Sequence, residues 1–237
     1  MKPIYEPKGA AKEYGDLAIN IYTGCPHRCF YCFAPKVLRK DKEEFHSRVD
    51  PRANIVEEVR KQVVKDNITG KLIHLCFTCD PYPTGYDSTA TREIIKILKD
   101  AGNHVQILTK GDGRRDFDLL DGEDWYGITI SGFRTNTSCR SQYEPKAISP
   151  YTRIAIAEEA KRKGIKTWAS LEPVLEPDIL KTFACFADAF DMVKIGKLNY
   201  HPSDIDWSLF GKQAEALFKQ LGINYYIKDS LRAEMEK

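Results

Sequence analysis

Lys96–Leu108 reads KILKDAGNHVQIL. A helical tail runs up to Gly102, and a short β-rich stretch comes after it. The same punctuation returns in Glu158–Leu171, EEAKRKGIKTWASL, and in Leu217–Ile227, LFKQLGINYYI. Gly102, Gly164 and Gly222 each fit the left-handed position that ends a helix, which glycine adopts without a Cβ penalty. The segment after each glycine is strand-like. Helix–Gly–strand units of this size, repeated along a chain, imply βα repeats and a parallel sheet.

Around these anchors, strands are expected at about Ala18–Thr23, Leu72–Phe77, Val105–Leu108, Gly127–Ile130, Thr167–Leu171 and Met192–Ile195, with a further one at Tyr225–Ile227. Helices are expected near Asn54–Asp66, where Ile55, Val56, Val59 and Val63 share a face, and Thr91–Ala101, where Ile94, Ile95, Ile97 and Leu98 are apolar. Another starts after Ser149-Pro150, an N-cap and a first-turn proline. A short one begins after Pro177, and a last one covers Trp207–Leu221. The expected fold is therefore α/β, a partial (β/α)6-type TIM barrel with room for a seventh strand. It forms one domain over residues 1–237, with a core at about 18–200 and a C-terminal helix and strand in 207–237. A flat doubly wound sheet is the alternative, but no Gly-x-Gly-x-x-Gly follows the first strand.

The 237 residues are 42% hydrophobic and 30% charged, which suits a chain with a sizeable core. A formal net charge of +2 offers no cationic arm, so charge alone does not argue for nucleic acid. The N-terminus lacks an apolar signal-peptide core, and no apolar run reaches membrane-spanning length. A cytoplasmic location is expected, with no membrane partner. Seven cysteines, an odd number in a chain of this kind, argue against a disulfide framework and for metal binding or chemistry.

In parallel βα barrels the chemistry sits at the C-terminal ends of the strands. Here those ends run into Cys25, Thr78-Cys79-Asp80, Thr109-Lys110, Ser131, Glu172, Gly196-Lys197 and Lys228-Asp229. Any strand meets its loop in polar residues, so each position alone says little. The set gains weight from Gly24–Pro35, GCPHRCFYCFAP, which comes directly after the first strand and places Cys25, Cys29 and Cys32 within eight positions. Gly24 and Pro26 favour a loop that wraps around something over a helix face of buried thiols. A zinc site on Cys29, Cys32, Cys76 and Cys79 is the rival. It leaves Cys25 without a role, and Cys76 and Cys79 face opposite sides of a regular strand. Three thiolates suit a [4Fe-4S] cluster with one iron left open for a chelating amino acid.

Cys-x3-Cys-x2-Cys after the first strand, with Tyr31 before the third cysteine, resembles the radical S-adenosylmethionine (SAM) superfamily. CFTCDPYPTGYDSTATREIIKILKDAG, VQILTKG, ITIS, YEPKAISPYTR and SLEPVL are similar to the spore photoproduct lyase-like branch, over about Ile19 to Leu175. The resemblance implies a [4Fe-4S] cluster on Cys25, Cys29 and Cys32, with SAM as the second cofactor. Reductive cleavage of SAM gives a 5′-deoxyadenosyl radical that removes hydrogen from a substrate. It places Tyr31 beside the adenine, Thr78 and Lys110 at the amino acid part of SAM, and Ser131 at its ribose or carboxylate end. Arg153 and Glu172 also lie in matched motifs. An electron donor such as a flavodoxin or ferredoxin is implied as a partner.

The spore photoproduct lyase family carries a cysteine hydrogen donor three positions before the aspartate, and a tyrosine after the third cluster cysteine. Phe77 and Phe33 stand at those places here, so thymine-dimer repair is not carried over. Cys79, beside Asp80, is the candidate hydrogen donor. Cys76 is expected in the core, Cys139 in a polar loop over the rim, and Cys185 buried on a helix. His27 lies inside the cysteine loop and can hydrogen-bond the site. Arg114, Arg115 and Arg134 can meet phosphates or simply be solvated. The expected function is hydrogen abstraction from a nucleic acid or nucleotide. The alternatives are a radical SAM enzyme acting on a peptide or small molecule, and a non-catalytic structural zinc module.

Overall fold

The computed structural model of the chain describes residues 2–134 and 142–237. Its strands are β1 (Ile4–Tyr5), β2 (Leu17–Ile19), β3 (Leu72–Leu75), β4 (His104–Thr109), β5 (Trp125–Thr129), β6 (Lys166–Leu171), β7 (Met192–Ile195) and β8 (Asn224–Ile227). They form one eight-stranded sheet in chain order. β1 is antiparallel to β2, and every later neighbour pairs in parallel. No ladder joins β8 back to β1 among the described residues, so the barrel stays open. The seventh parallel strand is present, and the partial barrel holds over the doubly wound alternative.

The helices are α1 (Ala34–Leu38), α2 (Lys42–Ser47), α3 (Ile55–Lys65), α4 (Thr89–Asp100), α5 (Pro150–Arg162), α6 (Ile179–Ala184), α7 (Trp207–Leu221) and α8 (Asp229–Met235). Gly102, Gly164 and Gly222 have φ of +74°, +81° and +65°, as the helix–Gly–strand pattern requires. Ser149 caps α5 by accepting from Thr152 N–H at 3.1 Å.

Alternation at period two gives the sheet two unlike faces. Ile73, Leu75, Val105, Ile107, Ile128, Ala169, Val193 and Ile195 are fully buried in one apolar core with Val59 of α3, Ile94, Ile95 and Leu98 of α4, and Phe218 of α7. The opposite face carries His74, Gln106, Gly127, Trp168, Ser170, Lys194 and Tyr226. His74 Nδ1 lies 2.9 Å from Gln106 Oε1. The Trp168 indole N–H crosses over Gly127 to donate to Ile107 O at 3.0 Å. A Cβ on residue 127 would sit 2.1 Å from Trp168 Nε1 and 2.7 Å from Ile107 O. Gly127→Ala is therefore expected to cost roughly 1–3 kcal/mol as an overpacking change, read as a lower urea midpoint.

The N-terminal segment closes the open side. It leaves β1 beside β2, passes through a 3-10 turn at Gly9–Glu13, and reaches β7 and β8. Lys194 Nζ donates to Glu13 O at 3.0 Å, and Tyr226 OH and Asp229 N–H donate to Glu13 Oε2 at 3.2 and 3.1 Å. Lys194 lies 4.9 Å from the Tyr14 ring centre and 5.4 Å from that of Trp168. Burial pushes its ammonium down to about 8, helped by the charge of Lys228. Unfolded, a lysine titrates near about 10.4, so between these values the unfolded chain binds more protons. Stability then rises with pH through that window, by about 3 kcal/mol at most. Lys194→Met should abolish this rise, seen by comparing urea midpoints of the two proteins at pH 7.5 and 10.

Three expectations need correction. The first strand ends at Ile19 and not Thr23, because the Asn20 carboxamide oxygen accepts both Phe77 N–H (2.8 Å) and Thr78 N–H (2.9 Å), while Tyr22 bridges to Pro51. The second strand ends at Leu75, since Cys76 takes a left-handed φ of +72°. Cys185 is exposed: it caps the end of α6, and Phe183 takes the core position.

Candidate active site

Beyond β2 the chain is fixed by main-chain bonds. Thr23 N–H donates to Asp50 O (2.9 Å) and Cys25 N–H to Phe45 O (3.2 Å), while His46 Nδ1 bonds Cys25 O at 2.8 Å. Gly24 must lack a side chain, since a Cβ would lie 2.2 Å from Phe45 O. Arg28 has a φ of +55° and Cys32 N–H donates to Cys29 O at 3.1 Å, so Cys25–Cys32 is a loop, as Gly24 and Pro26 indicated.

The loop buries Cys29 and leaves Cys25 and Cys32 partly exposed. Cys25 is raised well above its ordinary value by burial and by Asp80, Cys29 and Cys32 nearby. Burial pushes Cys29 up to about 12, against the pull of Lys110, and raises Cys32 too. Among the described residues, no three cysteines crowd closely enough to share one metal ion. The one set that does, His104, Asp121 and Asp124, already holds the Lys99 ammonium, at 2.7 Å from Asp121 and 2.6 Å from Asp124. Thiols that neighbour one another yet stand apart suit a polynuclear cluster better than a single ion. The four cysteines of the zinc alternative fall into two groups. Cys29 and Cys32 lie near Lys110, whereas Cys76 and Cys79 lie near Tyr22 and Tyr5.

Two buried carboxylates organise the surroundings of the loop. Asp80 accepts from Tyr82 N–H (2.9 Å), Thr109 Oγ1 (2.5 Å) and Lys110 N–H (2.8 Å), with His27 Nδ1 at 3.4 Å. Burial raises it, but His27 and these donors outweigh burial and hold it below the usual carboxylate range. His27 Nε2 takes Thr84 N–H at 3.2 Å, which leaves the Nδ1 proton for Asp80. Thus the loop histidine ties the cysteine segment to the ends of β3 and β4.

Glu144 is the second carboxylate. Tyr31 OH donates to its Oε1, Ser131 Oγ donates to the same oxygen at 3.1 Å, and Arg153 Nη2 lies 2.5 Å from Oε2. Tyr31 OH and Ser131 Oγ are themselves 2.8 Å apart. Burial raises Glu144, yet Arg153 and Lys110 together bring it below its ordinary value. The Lys110 ammonium lies 5.8 Å from the Tyr31 ring centre and makes no ion pair among the described residues. Burial lowers its pKa, but Cys29 and Glu144 raise it on balance and keep it charged. Tyr31, Lys110, Ser131 and Arg153, read separately from sequence, thus converge on a glutamate that the sequence patterns do not single out. A signal for it was present: a fully buried arginine needs a counter-charge, and Glu144 lies in the same YEPKAISPYTR segment.

The other expected residues lie apart from Glu144. Thr78 Oγ1 is buried and has no partner among the described residues. Glu172 belongs to the barrel interior, where it accepts from Tyr14 OH and forms an ion pair with Lys228 Nζ at 3.0 Å. Cys79 Sγ accepts Tyr22 N–H at 3.3 Å. The rim arginines are already paired, Arg114 with Asp112, Arg115 with Asp116 and Asp87, and Arg134 with Glu176. Cys139 lies outside the described residues. No helix among them is long and apolar enough to cross a membrane.

The sequence model of the radical SAM superfamily matches residues 19–177, from β2 through the cysteine loop and across β6. The chain belongs to the radical SAM superfamily. An uncharacterized protein of Methanocaldococcus jannaschii is 30% identical over 184 residues, 76% of this chain and 66% of its own length. The chain spans 61% and 52% of two further curated relatives. Among solved structures, spore photoproduct lyase complexed with dinucleoside spore photoproduct aligns with a TM-score of 0.67 at 14% identity, covering 94% of this chain and 78% of that one. SuiB of Streptococcus suis, bound to precursor peptide SuiA, aligns with a TM-score of 0.64 at 12% identity, covering 92% and 50%. These two likenesses establish the partial barrel of radical SAM proteins and nothing finer.

Proposed function

We propose that this radical SAM protein uses a [4Fe-4S] cluster on Cys25, Cys29 and Cys32 to remove a hydrogen atom from a nucleobase-bearing substrate, a nucleic acid or nucleotide. The observation that carries the reading is the three-thiol loop, with Cys29 buried and Cys25 and Cys32 partly exposed, and a charged, unpaired Lys110 beside it. When bound, such a cluster supplies the electron that splits SAM into methionine and a 5′-deoxyadenosyl radical.

The chain's own residues bind and orient. Lys110 is the cation for the SAM carboxylate, a charge-assisted contact. The unpartnered Thr78 Oγ1 is free for the amino acid end of SAM. Tyr31 offers its backbone beside the adenine, and Ser131 faces the ribose or carboxylate end. Arg153 acts at one remove, by fixing Glu144, which in turn holds Tyr31 and Ser131. The half-exposed Phe33 and the exposed Val37 leave an apolar surface next to the loop for an electron donor such as a flavodoxin or ferredoxin.

The substrate class rests on the motif likeness to the spore photoproduct lyase-like branch and the shared fold of that enzyme. The rim arginines add nothing to it, being paired. The test is deuterium transfer. The protein, reconstituted anaerobically, is given SAM, a strong reductant and deuterated oligonucleotides or nucleotides, and deuterium is sought in 5′-deoxyadenosine. Transfer from these substrates supports the proposal. Transfer from peptides alone moves the protein to the peptide-modifying class.

A further inference from the structure

Cys76-Phe77-Thr78-Cys79 lies between the end of β3 and Asp80, and no role in the proposed chemistry uses its two thiols. In a regular strand, positions three apart point to opposite faces. Here the strand stops at Leu75, and the left-handed φ of +72° at Cys76 turns the chain out of the strand and ends that alternation. A non-glycine residue in that region is uncommon and marks a constrained site. The Cys76 thiol hydrogen-bonds the Cys79 sulfur. Cys79 Sγ also accepts the Tyr22 N–H at 3.3 Å, and the Arg52 guanidinium acts on it.

The surroundings divide the labour between the two sulfurs. Cys76 is buried, and burial raises its thiol well above the ordinary value. Cys79 is partly exposed. Burial raises it as well, but the hydrogen bond from Cys76, the Tyr22 N–H and Arg52 outweigh burial and set it below the ordinary value. Thiolate character and access are what make a cysteine attack a disulfide, and a buried neighbour at hand is what resolves the product.

We propose that Cys76 and Cys79 form a reversible dithiol–disulfide couple, separate from the cysteines of the cluster loop, that exchanges with disulfides of the glutathione class. The Cys79 thiolate attacks one sulfur of the oxidised partner. A Cys79–partner mixed disulfide forms, and one partner thiolate leaves and takes up a proton. The Cys76 thiol then loses its proton and attacks Cys79, forming the Cys76–Cys79 bond and releasing the second partner thiol. Two protein thiols are oxidised by two electrons, and one external disulfide is reduced to two thiols.

The test uses the cluster-loaded protein under anaerobic conditions, incubated at graded ratios of reduced to oxidised glutathione, alkylated, and cut with trypsin. Cys76 and Cys79 are the only cysteines of the tryptic peptide Leu72–Arg92. The expected result is conversion of this peptide from a doubly alkylated form to an unalkylated form two hydrogens lighter than the free dithiol. Dithiothreitol should reverse the conversion, and iron per chain should stay constant. In Cys76→Ser, Cys79 should instead accumulate as the glutathione mixed disulfide; in Cys79→Ser, Cys76 should stay alkylatable. A peptide that stays doubly alkylated in oxidised glutathione alone overturns the proposal. So does an unalkylated form that appears only as iron is lost, or a Cys79 that stays unmodified in Cys76→Ser.

Discussion

Cys25→Ala is expected to take the protein from about four irons per chain after anaerobic reconstitution to fewer than one, and to end 5′-deoxyadenosine formation. On the proposed reading, two thiolates would be left to hold a group that calls for three. The fold should survive, because Cys25 serves it through its main chain: its N–H donates to Phe45 O and its carbonyl accepts from His46. Alanine keeps both bonds, so far-ultraviolet circular dichroism and the unfolding midpoint of the iron-free proteins should match. The zinc module predicts the reverse. It would hold its metal on Cys29, Cys32, Cys76 and Cys79 and lose nothing with Cys25. A Cys25→Ala protein that keeps the wild-type metal load would sink the cluster reading.

The parts of this protein that were legible in the sequence are local ones. The three helix-ending glycines are set by their own φ, and the cysteine loop lies within eight consecutive positions. The features that escaped depend on contacts between distant residues or on single backbone angles. Tyr31 meets Ser131 across 100 positions and Tyr14 meets Glu172 across 158. No periodicity signals either contact. β1 spans only two residues and shows no pattern of its own; it is held by Gln62 of α3, whose carboxamide bonds both Ile4 N–H (2.8 Å) and Ile4 O (2.9 Å). α1, α2 and α8, with five, six and seven residues, are likewise too short to show a stripe. The strand argument set Cys76 and Cys79 on opposite faces, and one left-handed residue ended the alternation on which it rested. Side-chain capping shortened β2 in the same way, since Asn20 takes amide protons that a longer strand would have paired.

Glu144→Leu should cause the largest loss of stability among single changes near the site. Arg153 is fully buried, and two of its nitrogens are committed to main-chain carbonyls, Nε to Ile148 O at 2.9 Å and Nη1 to Thr129 O at 2.8 Å. It therefore cannot swing out to water when its carboxylate partner is removed. An uncompensated buried charge costs about 3–5 kcal/mol. For a chain of this size that lowers the thermal midpoint by roughly 6–20 °C. Tyr31 and Ser131 lose their shared acceptor at the same time, which adds to the loss. Arg153→Met should cost less, because Glu144 keeps two hydroxyl donors and the nearby charge of Lys110. Removing both partners, Glu144→Leu with Arg153→Met, should recover much of the stability, so the double-mutant cycle shows strong coupling. The acid limb carries a second signature. Glu144 is held below its ordinary value in the fold, so its contribution is complete above the unfolded pKa and is lost as pH falls through the folded one. Glu144→Leu should lack that part of the acid-induced loss and show a flatter stability profile at low pH. A Glu144→Leu protein within about 1 kcal/mol of wild type at neutral pH would mean that Arg153 finds another counter-charge, and that Glu144 does not organise Tyr31 and Ser131.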